Sequence, residues 1–277
     1  MKITALLGPT ASGKTARSIE MAEKSDAYIL SLDSLSIYKE INIASAKPTE
    51  EERKGIKHFG IDEIYPCENF NVSIFFDIFK KAKLHAMKDG KNLIIVGGTG
   101  FYLKSLITGL STKPNISANT KENIKEIMKN QNYAYEMIVK NDYTYSQKIS
   151  RNDSYRIEKW LEIFIETNTP TSEYLAKNRQ PPIIKDLEIL EISISKDILK
   201  QRVQLRTKEM LRHGLIDEVI YLEKKYGRTP NSMRSIGIKE GLEFLDGFLD
   251  KQQLEKKIIT NTMRLAKRQR TFNRTQF

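Results

Sequence analysis

A glycine-rich stretch near the start of the chain, LLGPTASGKT, restricts the fold more than any other feature. Its spacing, G-x4-G-K-T over Gly8–Thr15, is the Walker A pattern. Such a loop aims successive backbone N–H groups at phosphate oxygens, while Lys14 adds a positive charge and the Thr15 hydroxyl suits Mg²⁺. The apolar run Lys2–Leu7 predicts a buried strand before the loop, and a helix is expected over Lys14–Lys24 after it.

Two later apolar runs predict further strands of the same sheet. Ala27–Leu32 ends at Asp33, and Lys91–Val96 ends in a Gly-Gly-Thr-Gly turn that contains Thr99. Strands that alternate with helices predict an α/β fold, a P-loop NTPase-like parallel sheet flanked by helices, with ligands at the carboxyl edge. Asp33 and Thr99 are both expected at that edge, beside the phosphate loop.

The middle of the chain has a different character. Residues 113–182 show helical patterns only and are rich in Asn, Lys and Tyr, which predicts an inserted all-helical domain. The run Leu187–Ser195 returns to a strand pattern, and helices follow it. The predicted catalytic domain therefore comprises residues 1–112 and 183–277, interrupted by the helical insertion.

Charge and cysteine content limit the possible partners and compartment. Lys and Arg total 46 against 35 Asp and Glu, a net charge of +11. Such an excess is typical of proteins that meet a polyanion such as RNA, although a solvated basic face has the same composition. The single cysteine, Cys67, excludes a disulfide framework and a cysteine-based zinc module. With no signal peptide or membrane span apparent, a cytoplasmic location and no membrane partner are expected.

Seven sequence blocks, in order along nearly the whole chain, resemble the bacterial tRNA dimethylallyltransferases, also called tRNA isopentenyltransferases. They are GPTASGKT, SLDSLSIYKEINIASAKP, VGGTGFYLKSLITGL, RNDSYRIEKWLE, GLIDEV, SIGIKE and LAKRQRTF. The block Ala44–Pro48 departs from the family's usual Gly-Thr-Ala-Lys-Pro, which leaves the role of Ser45 open. The chain ends soon after the last block, so a short final helix is expected.

The resemblance implies a specific reaction. A dimethylallyl group would pass from dimethylallyl diphosphate to N6 of the adenine 3′ of the anticodon in tRNA, and diphosphate would be released. The partners would be the donor and the anticodon stem-loop of tRNA, with Mg²⁺ as cofactor and the protein as a monomer. A diphosphate cradle would also account for the third strand, which lacks the terminal Asp of ATP-hydrolysing relatives.

The resemblance also implies roles for individual residues. Asp33 would be the general base, and Thr99 would help to position the base and the donor. The expected diphosphate ligands are Gly8, Pro9, Thr10, Ala11, Ser12, Gly13, Lys14, Thr15 and Arg156, with Thr15 also a metal ligand. The expected tRNA contacts are Asp33, Ser34, Leu35, Ser36, Thr99, Lys121, Tyr155, Arg156, Ile157, Glu158, Lys159, Arg234, Ser235, Ile236, Gly237, Ile238 and Lys239.

Each of these assignments has a simpler rival. Asp33 could cap the turn that follows it, and Thr99 could be the N-cap of the next helix. Arg156 and Lys159 could lie on a solvated helix face. For the whole protein, the rivals are a P-loop small-molecule kinase, an RNA-binding protein whose loop only regulates binding, and an isopentenyltransferase that acts on free adenine nucleotides.

Overall fold

A computed structural model describes all 277 residues, and its core is a parallel sheet of five strands. The strands lie in the order β3-β2-β4-β1-β5. Their bounds are β1 Ile3–Leu7, β2 Ala27–Ser31, β3 His58–Phe59, β4 Asn92–Gly97 and β5 Glu188–Glu191. Because every pair is parallel, all five carboxyl ends meet at one edge of the sheet.

The three central strands form the buried core of the sheet. Ala5 pairs with Ile95, and Ile95 pairs with Leu30 on the other side; all three side chains are buried. Strands covered on both faces need continuous apolar runs rather than alternation, as these sequences have. The edge strand β5 is mostly exposed and carries Glu188 and Glu191, which fits a strand with one free side.

Contacts divide the chain into two compact units, one made of Met1–Ile107 with Ile184–Phe277 and the other of Thr108–Ile183. The first unit holds the sheet and the helices around it. These helices are α1 Lys14–Ser25, α2 Val72–Lys88, α3 Gly100–Thr108, α9 Lys196–Arg212, α10 Leu215–Tyr226, α11 Ile238–Leu245 and α12 Lys251–Gln276. The last residue of α3 falls in the second unit.

The second unit is all-helical. Its helices are α4 Ala118–Met128, α5 Gln131–Asn141, α6 Tyr143–Ser146, α7 Ser154–Thr167 and α8 Thr171–Lys177. Its core surrounds Trp160, which is fully buried and stacks on Phe164. The buried Asp142 accepts hydrogen bonds from the indole Nε1 of Trp160 (3.0 Å) and from the hydroxyl of Ser172 (2.7 Å). A satisfied buried carboxylate of this kind fixes how the helices meet.

The helix expected over Lys14–Lys24 is observed as α1, Lys14–Ser25. The final helix α12 is not short: its 26 residues make it the longest of the chain, and the prediction of a short last helix is wrong. Its start is fixed by a capping box between Asp250 and Gln253. No helix has the length and apolar character needed to cross a membrane.

Candidate active site

The phosphate loop connects β1 to α1 in the conformation that its glycines permit. Gly13, the N-cap of α1, has a φ of 91°, and Ala11 also lies at positive φ, 61°. Gly13 has no side chain to cap the helix, and the first turn of α1 holds no acidic residue. The N–H groups at this helix end are therefore open to an anion, and the helix dipole favours negative charge there.

Side chains of the loop complete the cradle. The hydroxyl of Ser12 is buried and has no hydrogen-bond partner within the protein, which suits a group that meets a ligand oxygen. The ammonium group of Lys14 donates to the carbonyl of Pro9, 2.6 Å away, and so folds back over the loop. Arg202 of α9 donates to the carbonyl of Ser12 at 3.0 Å. The cradle thus carries positive charge and one unsatisfied hydroxyl.

Asp33 lies two residues after β2 and does act as a cap. Its Oδ1 accepts the backbone N–H groups of Leu35 (2.8 Å) and Ser36 (3.2 Å). Its Oδ2 has no partner in the protein, and the side chain is exposed. The cap fixes the orientation of the carboxylate and leaves one oxygen free, so the two roles considered for Asp33 are compatible.

Thr99 lies between β4 and α3, and its hydroxyl makes no hydrogen bond within the protein. It therefore does not cap α3, the simpler role considered for it. The glycines on either side allow side chains of α12 to pack closely against the turn. A Cβ on Gly98 would overlap the amide of Gln269, and one on Gly100 would lie 2.7 Å from Oδ1 of Asn273.

These elements open onto one cavity of about 770 Å³ within the first unit. The phosphate loop from Thr10 to Thr15, the Asp33–Ser36 turn, Thr99 and the Arg234–Gly237 segment all line it. The carboxyl edge of the sheet thus brings together residues that are far apart in the sequence, as parallel α/β folds do.

Two arginines of α9 also line the cavity, and the sequence reasoning missed them. Arg206 donates to the hydroxyl of Thr10 (3.5 Å) and to the carbonyl of Ser45 (3.3 Å), and Arg202 is one turn away on the same helix face. The i, i+4 spacing of the arginines was the available signal, but a chain with 46 Lys and Arg residues offers many such pairs.

The cavity is strongly cationic. Five Lys and Arg side chains line it against two acidic ones, and none of the five forms an ion pair. The five are Lys14, Arg202, Arg206, Arg234 and Arg268, and the two are Asp33 and Glu209. Unpaired cations gathered in a partly enclosed cleft attract a polyanion with several negative charges.

Burial in this cavity shifts the pKa values of two of these cations, Lys14 and Arg206. Desolvation lowers the pKa of Lys14 from 10.5 to about 8, opposed by the attraction of Asp33 and reinforced by the repulsion of Arg206. Desolvation likewise lowers the pKa of Arg206, again opposed by Asp33. An anion bound here would relieve both effects, because it would restore a favourable environment for the charged forms.

The Arg234–Lys239 segment is only partly exposed. Arg234 ends a short 3₁₀ turn and is exposed, and Lys239 on α11 is exposed as well. Ile238, by contrast, is fully buried, and Gly237 has a φ of 94°. The side chain of Ile238 therefore anchors the segment to the core and does not face a partner.

The remaining predicted residues, Lys121 and the Tyr155–Lys159 segment, belong to the helical unit. Lys121 is exposed on α4, and Tyr155 is 66% exposed on α7. Arg156 is also exposed and forms an ion pair with Asp153, with 3.4 Å between Nε and Oδ2. Lys159 is paired with Glu162 and lies over the ring of Tyr155. Ile157 is buried in the core of the unit, and Glu158 is exposed.

A carboxylate from α10 holds the loop that forms another wall of the cavity. Glu218, which is buried, accepts the N–H groups of Asn42, Ile43 and Ala44 at 2.7–2.9 Å. The hydroxyl of Ser45 donates to the carbonyl of Ile41 at 2.6 Å. The hydroxyl of Ser45 thus closes the turn through a hydrogen bond to the backbone.

Replacing Glu218 with Ala should destabilise the protein by about 3 kcal/mol, because three backbone N–H groups would lose their acceptor in a buried setting. Urea unfolding would measure the change. The exposed Glu122 on α4 has no partner, so Glu122→Ala is the matched control and should change stability by less than about 0.5 kcal/mol. Equal effects of the two substitutions would contradict the role of Glu218.

The parallel sheet and the glycine loop before α1 define a P-loop α/β protein, and its phosphate loop opens onto a cationic cavity. The protein-family model described as IPP transferase matches residues 36–276. The tRNA dimethylallyltransferase of Aliarcobacter butzleri is 54% identical over 277 residues, which is 100% of this chain and 93% of the relative. That of Sulfurovum sp. is 53% identical and covers 99% and 91% of the two chains. The chain therefore belongs to the tRNA dimethylallyltransferase family.

Solved structures agree with this assignment. A eukaryotic dimethylallyltransferase described as acting on tRNA superposes with a TM-score of 0.85 at 26% identity, over 98% of this chain and 70% of that one. The tRNA isopentenylpyrophosphate transferase of Bacillus halodurans has a TM-score of 0.71 at 28% identity, over 99% and 86% of the two chains. The predicted fold class, a P-loop NTPase-like sheet with an inserted helical region, is confirmed.

Proposed function

We propose that this tRNA-prenylating enzyme takes its prenyl group from dimethylallyl diphosphate and attaches it to N6 of the adenine 3′ of the anticodon. The observation that carries the proposal is the cavity in which a phosphate loop, five unpaired cations and a half-free carboxylate converge. Such a site suits a reaction in which a diphosphate leaves and a proton must be removed.

The chemistry is a displacement at the allylic C1 of the donor. The C1–O bond breaks, the C1–N6 bond forms, and diphosphate leaves with the bonding electron pair. Lys14, Arg206 and the loop N–H groups would offset the negative charge that builds on the leaving oxygen. The free Oδ2 of Asp33 would accept the proton from N6. Thr99, with its hydroxyl unpaired, would orient the base or the donor.

Mg²⁺ fits this site only if the phosphates of the donor supply part of its coordination. The protein holds no cluster of three or more His, Cys, Asp or Glu side chains suited to a metal. Mg²⁺ is commonly bound by one or two protein groups together with substrate phosphates, and the Thr15 hydroxyl at the helix start is the group available for it. When bound, the ion would add positive charge against the leaving diphosphate.

The helical unit is proposed as the part that binds the tRNA. It displays exposed basic and aromatic side chains, including Lys121, Tyr155 and Arg156. RNA modules combine such cations for the phosphates with aromatic rings for unstacked bases. Arg156 is proposed to reach the diphosphate when both substrates are bound. We also propose that the enzyme is a monomer and acts in the cytoplasm, where tRNA is available.

Mass spectrometry of tRNA incubated with the protein, Mg²⁺ and dimethylallyl diphosphate tests the reaction. One added dimethylallyl group on a single adenosine beside the anticodon is the expected product, with diphosphate released in equal amount. Equal activity on free adenosine monophosphate would overturn the choice of tRNA, and consumption of ATP in step with product would overturn the choice of donor.

Binding of tRNA should depend steeply on salt, because cations that meet backbone phosphates release counterions. Replacing the exposed Lys239 with Ala should weaken the binding of all tRNAs by a similar factor. It should also reduce the slope of log affinity against log salt concentration by about one. A salt series with an anticodon stem-loop would measure the slope. Lys88→Ala, at the exposed end of α2 outside the cavity lining, is the control and should leave it unchanged. An unaltered slope for the Lys239 variant would show that Lys239 does not contact an RNA phosphate.

A further inference from the structure

The long helix α12 reaches the phosphate loop through one glutamine. Oε1 of Gln269 accepts the backbone N–H of Thr10, 2.8 Å away. Gln269 lines the cavity together with Leu265, Thr262 and Ile258, which recur at helical spacing along one face of α12. This face of the helix therefore forms a wall of the site, and Gln269 is the point at which the wall is hydrogen-bonded to the cradle.

The hydrogen bond from Gln269 belongs to a short chain of contacts. Thr10 is held through its N–H by Gln269 and through its hydroxyl by Arg206, which also donates to the carbonyl of Ser45. A shift of Thr10 would thus disturb Arg206, a half-buried cation of the cavity, and through it the loop that contains Ser45.

The same glutamine also contacts the turn that carries Thr99. Gly98 has no side chain, and this allows the amide of Gln269 to lie against the backbone there. One residue beyond Thr99, Gly100 admits Asn273 of α12 in the same way. Gln269 is therefore in contact with both the phosphate loop and the turn after β4. Under the proposed function, these two elements together position the donor relative to Thr99.

We propose that Gln269 is a positioning residue that fixes the phosphate loop, and through Thr10 the guanidinium of Arg206, before the donor binds. The inference rests on the proposed function, since it concerns the diphosphate half of the same site. Its physical basis is preorganisation: a loop already held in its binding conformation loses less freedom when the anion arrives.

The test compares two glutamines on one helix. Gln269→Met keeps the length of the side chain but removes the strong acceptor for Thr10. Gln253→Met is the matched control, because Oε1 of Gln253 also accepts one backbone N–H, that of Asp250 at 2.9 Å, and lies in the capping box at the start of α12. Both variants lose the same kind of bond, and only one of them loses it at the cradle.

The readouts are calorimetric affinity for inorganic diphosphate, donor KM and kcat, and tRNA affinity. We expect Gln269→Met to weaken diphosphate binding and raise donor KM by roughly 5–30-fold, the equivalent of about 1–2 kcal/mol, with a smaller change in kcat and unchanged tRNA affinity. Gln253→Met should lower the melting temperature and leave diphosphate affinity and donor KM as in the wild type.

Equal diphosphate affinity of the wild type and Gln269→Met would overturn the inference, and so would a Gln253→Met variant with the same rise in donor KM. A wild-type protein that binds no diphosphate would instead overturn the proposed function. Should Gln269→Met fail to fold, Gln269→Glu replaces it, because its carboxylate can still accept the Thr10 N–H. The added negative charge should raise donor KM, and the rise should become smaller as the salt concentration increases. An unchanged donor KM for that variant would again contradict the placement of Gln269 at the cradle.

Discussion

Replacing Asp33 with Asn should reduce turnover by roughly 10²-fold or more, the usual contribution of a positioned general base. The substitution is well suited to this site, because an amide oxygen can still accept the N–H groups of Leu35 and Ser36 that Oδ1 now accepts. The turn should keep its shape while the basic oxygen is lost. Single-turnover modification of tRNA, with donor and tRNA affinities measured separately, would separate chemistry from binding.

The control for this experiment is another aspartate that caps a helix. Oδ1 of Asp250 accepts the N–H of Gln253 at the start of α12, and Asp250 is not among the cavity residues. Asp250→Asn should therefore leave turnover near the wild-type value. Turnover of Asp33→Asn within a few-fold of wild type would show that Asp33 only caps its turn, and the base would have to be sought elsewhere in the cavity.

The part of this site that could be predicted from the sequence is the part encoded locally. The phosphate loop is a contiguous pattern, and its position between β1 and α1 follows from an apolar run and a helix signal. Asp33 and Thr99 are expected at the same edge because parallel strands end together. The structure brings both into the cavity lined by the loop.

The parts that escaped prediction depend on tertiary packing. Arg202 and Arg206 belong to a helix nearly 190 residues after the loop, and Arg202 contacts Ser12 across 190 positions of sequence. The i, i+4 spacing of the two arginines places them on one face of α9, but nothing in the local sequence indicates that this face meets the loop. Gln269 was missed for the same reason: its hydrogen bond to Thr10 spans 259 positions.

The chain ends soon after LAKRQRTF, yet α12 is long because it begins well before that block, at Lys251. The segment before LAKRQRTF holds no glycine or proline after Asp250, and its capping box marks a clear start. Its buried residues Leu254, Ile258 and Ala266 follow helical spacing. Ile157 and Ile238 also fall within blocks matched to RNA contact, yet their apolar side chains are buried. The reason is that successive residues of a helix point to different sides, so a contiguous block includes core-facing positions.

Replacing Lys14 with Met should abolish productive donor binding and at the same time stabilise the ligand-free protein. Desolvation in the enclosed site lowers the pKa of Lys14 from 10.5 to about 8, against the attraction of Asp33 and together with the repulsion of Arg206. Each unit corresponds to about 1.4 kcal/mol of cost for keeping the group charged. Because the side chain is only half-buried by surface area, and because its bond to the Pro9 carbonyl would be lost, a net gain of about 1–2 kcal/mol is expected.

The pH dependence identifies the cause of this gain. Between pH 8 and 10.5 the unfolded chain binds more protons at Lys14 than the folded protein does, so folding stability rises with pH across this window. The advantage of Lys14→Met over wild type should thus be greatest below pH 8 and shrink as the pH approaches 10.5. Urea unfolding at several pH values would measure it, with Lys24→Met as control, since Lys24 lies on the same helix and is exposed.

Diphosphate should reverse the order of stability, because the anion relieves the charge that destabilises the empty site. Saturating diphosphate should raise the melting temperature of the wild type and leave that of Lys14→Met almost unchanged, since ligand binding stabilises only the state that binds it. Above pH 8, binding to the wild type should take up protons as Lys14 becomes charged, which titration in buffers of different ionisation enthalpy detects. A Lys14→Met variant that is less stable than wild type at pH 7, or that binds diphosphate as tightly, would show that the lysine is a structural tie of the loop and not its anion-binding charge.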